Sequence, residues 1–127
     1  QIEPWFANCG QDQADIELVA RLRHYKGTDQ LLLLARDRIR AGCPVSIRLT
    51  LKQMQKNRRL SFQHCQQLEL DLALNVIAAG HFREGVRAVL IDKDSSPRWQ
   101  NIECGPSTLQ AYFRSPWCNS SQRHPLA

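Results

Sequence analysis

The sequence lacks any apolar run long enough to cross a bilayer. Its longest aliphatic stretch, Leu31–Ala35, falls far short of the roughly 20 residues a spanning helix needs. It also lacks a basic start followed by an apolar core, so no retained secretory leader is expected. Cysteine is present but unpatterned. Cys9, Cys43, Cys65, Cys104 and Cys118 make an odd number, five, with no C-x-x-C pair, which argues against a disulfide framework or a zinc ribbon and for reduced thiols in a cytoplasmic protein. Methionine occurs once, at Met54, and the chain opens on Gln1. Both features lead us to expect a soluble fragment of a longer protein. No G-x-S-x-G elbow, glycine-rich phosphate loop, H-x-x-x-H pair or deaminase pattern occurs. Internal repeats and low-complexity tracts are missing too.

What is there is ordinary for a folded protein: 127 residues, 43% apolar and 23% charged. That composition argues against disorder and suits one domain with a modest core. The net charge is +5, with basic patches at Arg36–Arg40 and Lys56–Arg59. Acidic residues are interleaved throughout, so a solvated mixed-sign surface explains the balance better than a nucleic-acid or membrane site.

Apolar periodicity is helical along most of the chain. From Asp12, the residues Ile16, Val19, Ala20 and Leu22 or Tyr25 recur at helical spacing, with Gly27 as a stop. Thr28 or Asp29 can cap a second helix, Gln30 to Ala41, whose apolar face is read as Leu31, Leu34, Ala35 and Ile39, and Gly42 ends it. Pro44 fits a first helical turn. The segment from Val45 to Lys52 alternates like a half-buried strand, but good helix formers continue it through Lys56, and helix is the expectation. Ser61 caps a long helix from Phe62 to Ala79 with a stripe at Cys65, Leu68, Leu72, Val76 and Ala79. Gly80 terminates that helix, and a short one follows from Phe82 to Ile91. A turn at Asp94–Pro97 and a last helix, Ser107 to Arg114, complete the pattern, and residues 115–127 are expected to fray. The fold class expected is all-α, with about five or six short helices.

Chemistry is hard to find in this pattern. His64 and Cys65 are adjacent and diverge around a helix, while His24, His81 and His124 are isolated, so no metal site is expected. Cys65 lies on an apolar stripe and reads as a small buried hydrophobe rather than a nucleophile. Glu69 and Asp71, two residues apart on one helix, face different sides and read as solvated charges.

One stretch is specific. Phe82-x-Glu84-Gly85-Val86-Arg87-Ala88-Val89-Leu90-Ile91-Asp92-Lys93-Asp94, followed by Pro97-x-Trp99, resembles the C-terminal signature of acyl-CoA hydrolases of the 3-hydroxyisobutyryl-CoA hydrolase type. These form a branch of the enoyl-CoA hydratase/isomerase (crotonase) superfamily. Cys43-Pro44-Val45-Ser46-Ile47-Arg48-Leu49-Thr50-Leu51 resembles a helix start in the same family. Ile2–Phe6 and Leu109–Phe113 resemble its flanking segments. The resemblance implies the helical C-terminal domain of a crotonase-type enzyme, residues 1–127, lacking the α/β core. The oxyanion-hole amides and the acidic residues of that family lie in the core, so no catalytic residue carries over to this chain.

By the same resemblance, the parent enzyme would hydrolyse a short 3-hydroxyacyl-CoA, in valine breakdown. Acyl-CoA is then a substrate, and no cofactor or metal is implied. The lysine that lies against the CoA moiety in wider crotonases falls on Lys93. A cation complementing a helix C-terminus is the competing role for that residue. Arg87 is a second CoA-binding candidate, with pairing to Glu84 across one helical turn as its other reading. Trp99 reads as a packing anchor. Wider crotonases often carry an aromatic residue about one helix earlier, where this chain offers Ala73 and Ile77. The implied partners are the N-terminal crotonase core and a further copy of the chain, with no membrane. A hydratase or isomerase parent is the alternative, and a basic all-α nucleic-acid module is the rival from another class.

Overall fold

The computed structural model of the protein describes residues 12–100, 105–118 and 123–127. Among these residues every regular element is helical and no strand occurs. The resemblance noted at Ile2–Phe6 lies outside them. In chain order the elements are α1 (Asp12–Arg23), α2 (Gln30–Ala41), α3 (Pro44–Asn57), α4 (Phe62–Ala78), α5 (His81–Val86) and α6 (Pro106–Ala111). A π-helical turn, Arg87–Ile91, continues α5. The chain divides into two compact units, with the boundary between Gln55 and Lys56.

In the first unit α1 and α2 pack through Leu18, Leu22 and Leu32, with Tyr25 and Ile39 against them. This corrects the expected faces. Ile16 and Ala20 are exposed, and Leu31 and Leu34 stand 67% and 55% exposed while Leu32 is covered. Four successive leucines carry no register of their own, so tertiary packing selects the face. α1 ends at Arg23, before the expected stop at Gly27. Tyr25 folds over the connection, and its hydroxyl accepts the Asp29 N–H at 3.3 Å. Two arginines of the basic patch cap the end of α1: Arg40 Nε donates to the Arg23 carbonyl at 2.9 Å and Arg36 Nη1 to the Tyr25 carbonyl at 3.3 Å. Two of the three arginines of that patch therefore satisfy carbonyls at and just beyond the helix end.

Asp29 is the N-cap of α2, its Oδ1 accepting from Leu31 N at 2.9 Å and Leu32 N at 3.1 Å. Asp29→Ala is expected to cost about 0.5–2 kcal/mol. Urea unfolding of the whole chain reads this, and an unchanged midpoint would contradict it. In α3 the side chains of Val45 and Leu49, four residues apart, are 1% and 2% exposed. That spacing is the helical solution to the ambiguous segment, since a strand would have put Val45, Ile47, Leu49 and Leu51 on one face.

In the second unit Ser61 caps α4, its Oγ accepting from His64 N at 3.3 Å. The expected stripe is present, with Leu72 buried and Cys65, Leu68 and Val76 half-buried. Gly80 closes the helix at φ +83°, a left-handed backbone that only glycine adopts at little cost. Asn75 of α4 donates to the carbonyls of Tyr112 and Arg114, at 2.8 and 2.9 Å, and so caps the end of α6. His81, 4% exposed, meets the Tyr112 hydroxyl at 3.1 Å.

Two histidines and one acid depart from the sequence reading. His81, read only as isolated, is buried against Tyr112. Asp71, read as solvated, is also buried: it accepts from Ser115 Oγ at 3.3 Å. His124 Nε2 lies 3.3 Å from the Asp71 carboxylate, close enough for attraction but without hydrogen-bond alignment. Gln63 and Gln67 donate to the Leu126 carbonyl, at 3.3 and 2.9 Å, so the described end of the segment expected to fray has partners on α4.

Candidate functional site

The signature segment forms a wound turn around one guanidinium. α5 begins after Gly80 as an α-helix and widens at Arg87, where the Asp92 N–H donates to the Arg87 carbonyl at 2.8 Å across five residues. In an α-helix, residues five apart point about 140° away from each other. The wider π turn swings Asp92 back beneath Arg87. Beyond it Lys93 and Ser95 take left-handed backbones, φ +54° and +51°, and the Ser95 N–H returns to the Ala88 carbonyl at 3.0 Å.

Arg87 uses its whole fork inside this turn. Nε reaches both Glu84 oxygens, at 3.2 and 3.0 Å, and Nη2 reaches Glu84 Oε1 at 2.8 Å. Nη1 donates to Asp92 and, at 2.9 Å, to Asp94, while Nη2 also donates to the Ser96 carbonyl at 3.0 Å. Glu84 in turn accepts the backbone N–H of Arg98. The pairing with Glu84 expected from their spacing is present. The two aspartates flanking Lys93 were not foreseen as its further partners, and no local pattern announces a contact made across a π turn.

The electrostatics follow from the geometry. Hydrogen bonds from Arg87, then from the Arg98 amide, hold the Glu84 carboxyl down at about 2. Those from Arg87, then the Ser96 amide, lower Asp94 as well. The Arg87 guanidinium is raised, chiefly by Glu84. Because Glu84 titrates lower folded than unfolded, the unfolded chain takes up the proton first as pH falls. The clamp is therefore complete above about 4.5, the ordinary value for Glu84, and is lost as pH falls toward about 2. The protection factors of the Ser96 and Arg98 amides, followed across that window, should fall toward acid. Equal protection at both ends would contradict this.

Lys93 sits between the two clamped aspartates, exposed, and forms no ion pair with a described residue. It also lies just beyond the last helical turn, where a cation complements the dipole. The structure thus brings both candidate residues into one turn, Arg87 enclosed by acceptors and Lys93 outward. Trp99 packs beside the turn, its ring edge 3.4 Å from where a Cβ on Gly85 would stand. No group of three metal-ligating side chains exists among the described residues, and no described helix is long and apolar enough to cross a membrane. Cys43, Cys65 and Cys118 are free thiols; Cys9 and Cys104 lie outside the described residues.

Comparison with known proteins bears directly on the resemblance carried by this turn. The enoyl-CoA hydratase/isomerase family profile matches residues 1–113, and the chain belongs to that family. Within it, the chain is similar to 3-hydroxyisobutyryl-CoA hydrolases. It is 44% identical over 66 residues to the mitochondrial enzyme of Danio rerio, covering 52% of this chain and 16% of that protein. Against the Homo sapiens enzyme it is 40% identical over 75 residues, 57% of this chain and 19% of that protein. The match to the Dictyostelium discoideum enzyme is 29% over 87 residues, 66% of this chain and 23% of that protein. The chain spans less than a quarter of the length of these relatives.

The expected cytoplasmic location is overturned, because the relatives are named as mitochondrial proteins. That expectation rested on unpaired thiols and on the sequence around Gln1. Neither distinguishes one reducing compartment from another.

Proposed function

We propose that this chain is the C-terminal helical part of a mitochondrial acyl-CoA thioester hydrolase acting on 3-hydroxyisobutyryl-CoA or a similar short acyl-CoA, a step of valine breakdown. Its own role is structural: it covers a catalytic core, closes the acyl-CoA site and contributes to a subunit interface. The carbonyl-activating amides and the acids of the reaction belong to that core. Lys93 contacts a CoA phosphate, and Arg87 is a positioning residue that fixes the turn presenting it.

The observation that carries this reading is apolar exposure on the helices of the signature region. Phe82, Val89, Leu90 and Ile91 are each at least 60% exposed, as are Phe62 at the start of α4 and Leu31 on α2. Large apolar side chains left exposed in such numbers favour a covering partner. The experiment is thiol release from 3-hydroxyisobutyryl-CoA by the purified chain, with helicity confirmed by circular dichroism. A folded chain without turnover is the expected result. Turnover would place a reaction centre within these 127 residues and defeat the structural role.

The family as described also contains hydratases and isomerases, which makes a hydratase or isomerase parent the second reading. The product formed by the assembled protein separates the two: free CoA thiol for hydrolysis, an intact thioester for hydration or isomerisation.

A further inference from the structure

We infer that a small pocket beside the signature turn, lined by Arg83, Arg98 and Trp99, is a binding site for a phosphate-sized oxyanion. The pocket lies between the start of α5 and the irregular run after Pro97, and Gly80, His81, Glu84 and Gln100 complete its wall. It holds about 90 Å³, room for roughly three waters at about 30 Å³ each. A phosphate or carboxylate group fits that space, and a nucleoside does not.

Three features give the pocket its preference for an anion. Arg83 and Arg98 both line it, and neither side chain forms an ion pair with a described residue. Two guanidiniums sharing one concavity repel each other, and an oxyanion between them removes that repulsion while accepting forked hydrogen bonds. The one acid in the wall, Glu84, has both oxygens engaged by Arg87 and by the Arg98 N–H. Its charge is thereby already matched from behind. The third feature is that the same N–H ties residue 98 to α5, so the backbone that carries the second guanidinium is held by the Arg87 clamp rather than lying in a free loop. Trp99 supplies a half-buried apolar wall that keeps one side dry.

The pocket is separate from Lys93, which does not line it. The anion can be a free ion or the terminal phosphate of a nucleotide, and the chemistry recognised is the same. The test uses the full chain, isotope-labelled and titrated with inorganic phosphate at low ionic strength. Saturable amide shifts are expected at residues 80–84 and 98–100. Arg83→Gln with Arg98→Gln should weaken binding at least about tenfold. Both side chains are exposed, so the fold should survive the change, and unchanged circular dichroism confirms it.

Arg58→Gln with Arg59→Gln removes the same charge from the exposed turn after α3 and should leave binding intact. Equal weakening by both double variants, or shifts that never saturate, would overturn the site. CoA and 3′-dephospho-CoA then identify the source. Shifts with CoA that 3′-dephospho-CoA does not reproduce mark the nucleotide 3′-phosphate. Shifts with inorganic phosphate but with neither nucleotide mark a free ion. Both of these results support the pocket, and they hold whether or not the parent is a thioester hydrolase.

Discussion

Arg87→Ala is expected to open the signature turn from Asp92 to Arg98 and speed amide exchange at Ser95, Ser96 and Arg98 by about tenfold or more. The argument is one of unmatched acceptors. A single guanidinium now serves Glu84, Asp92, Asp94 and the Ser96 carbonyl. Deleting it leaves three carboxylates in one turn without the cation that bonds all of them, since Lys93 and Arg98 form no ion pair with them, and like charges at that spacing push apart. Only the backbone bonds from the Asp92 N–H to the Arg87 carbonyl and from the Ser95 N–H to the Ala88 carbonyl are then left to hold the π turn, and relaxation toward a regular helix follows. Arg87→Lys keeps the charge but cannot serve both Glu84 and the aspartates, and it should fall between wild type and alanine. Wild-type protection in the alanine variant would mean that the backbone bonds hold the turn alone.

Leu49→Ala is expected to cost about 2–5 kcal/mol, the range for truncating a fully buried leucine. Leu49 and Val45 are the largest side chains with under 2% or so of their surface exposed, and they sit on successive turns of α3. The surroundings of a fully buried side chain relax only partly around the cavity it leaves. Denaturant unfolding should show a lower midpoint with an unchanged slope. Leu31→Ala, at a side chain 67% exposed, should stay within about 0.5 kcal/mol in the isolated chain. The contrast between two leucines reads burial directly, and equal losses would refute the assigned faces.

Helix limits were legible in the sequence wherever a short-range signal sets them. Asp29 and Ser61 cap as their side chains require, Pro44 opens α3, and Gly80 supplies the left-handed turn that ends α4. The stripe of α4 was legible too, because one clear period runs through it. Registers fixed by packing were not. The run from Leu31 to Leu34 offers every face at once, and only the covered Leu32 shows which was used. Contacts between distant residues left no local trace. Asp71 gives no sign of Ser115 or His124, nor Asn75 of the carbonyls that end α6. At the candidate site the Arg87–Glu84 pair followed from spacing. The further reach to Asp92 and Asp94 depended on a change of helical pitch that propensity does not encode.

The left-handed backbone at position 93 separates shape from charge. A lysine there carries a conformational cost of about 1–2 kcal/mol that glycine escapes and asparagine largely escapes. Nothing in the path of the main chain calls for lysine, so its suitability at this position resides entirely in the ammonium. Lys93→Asn therefore keeps the bend and removes only the cation.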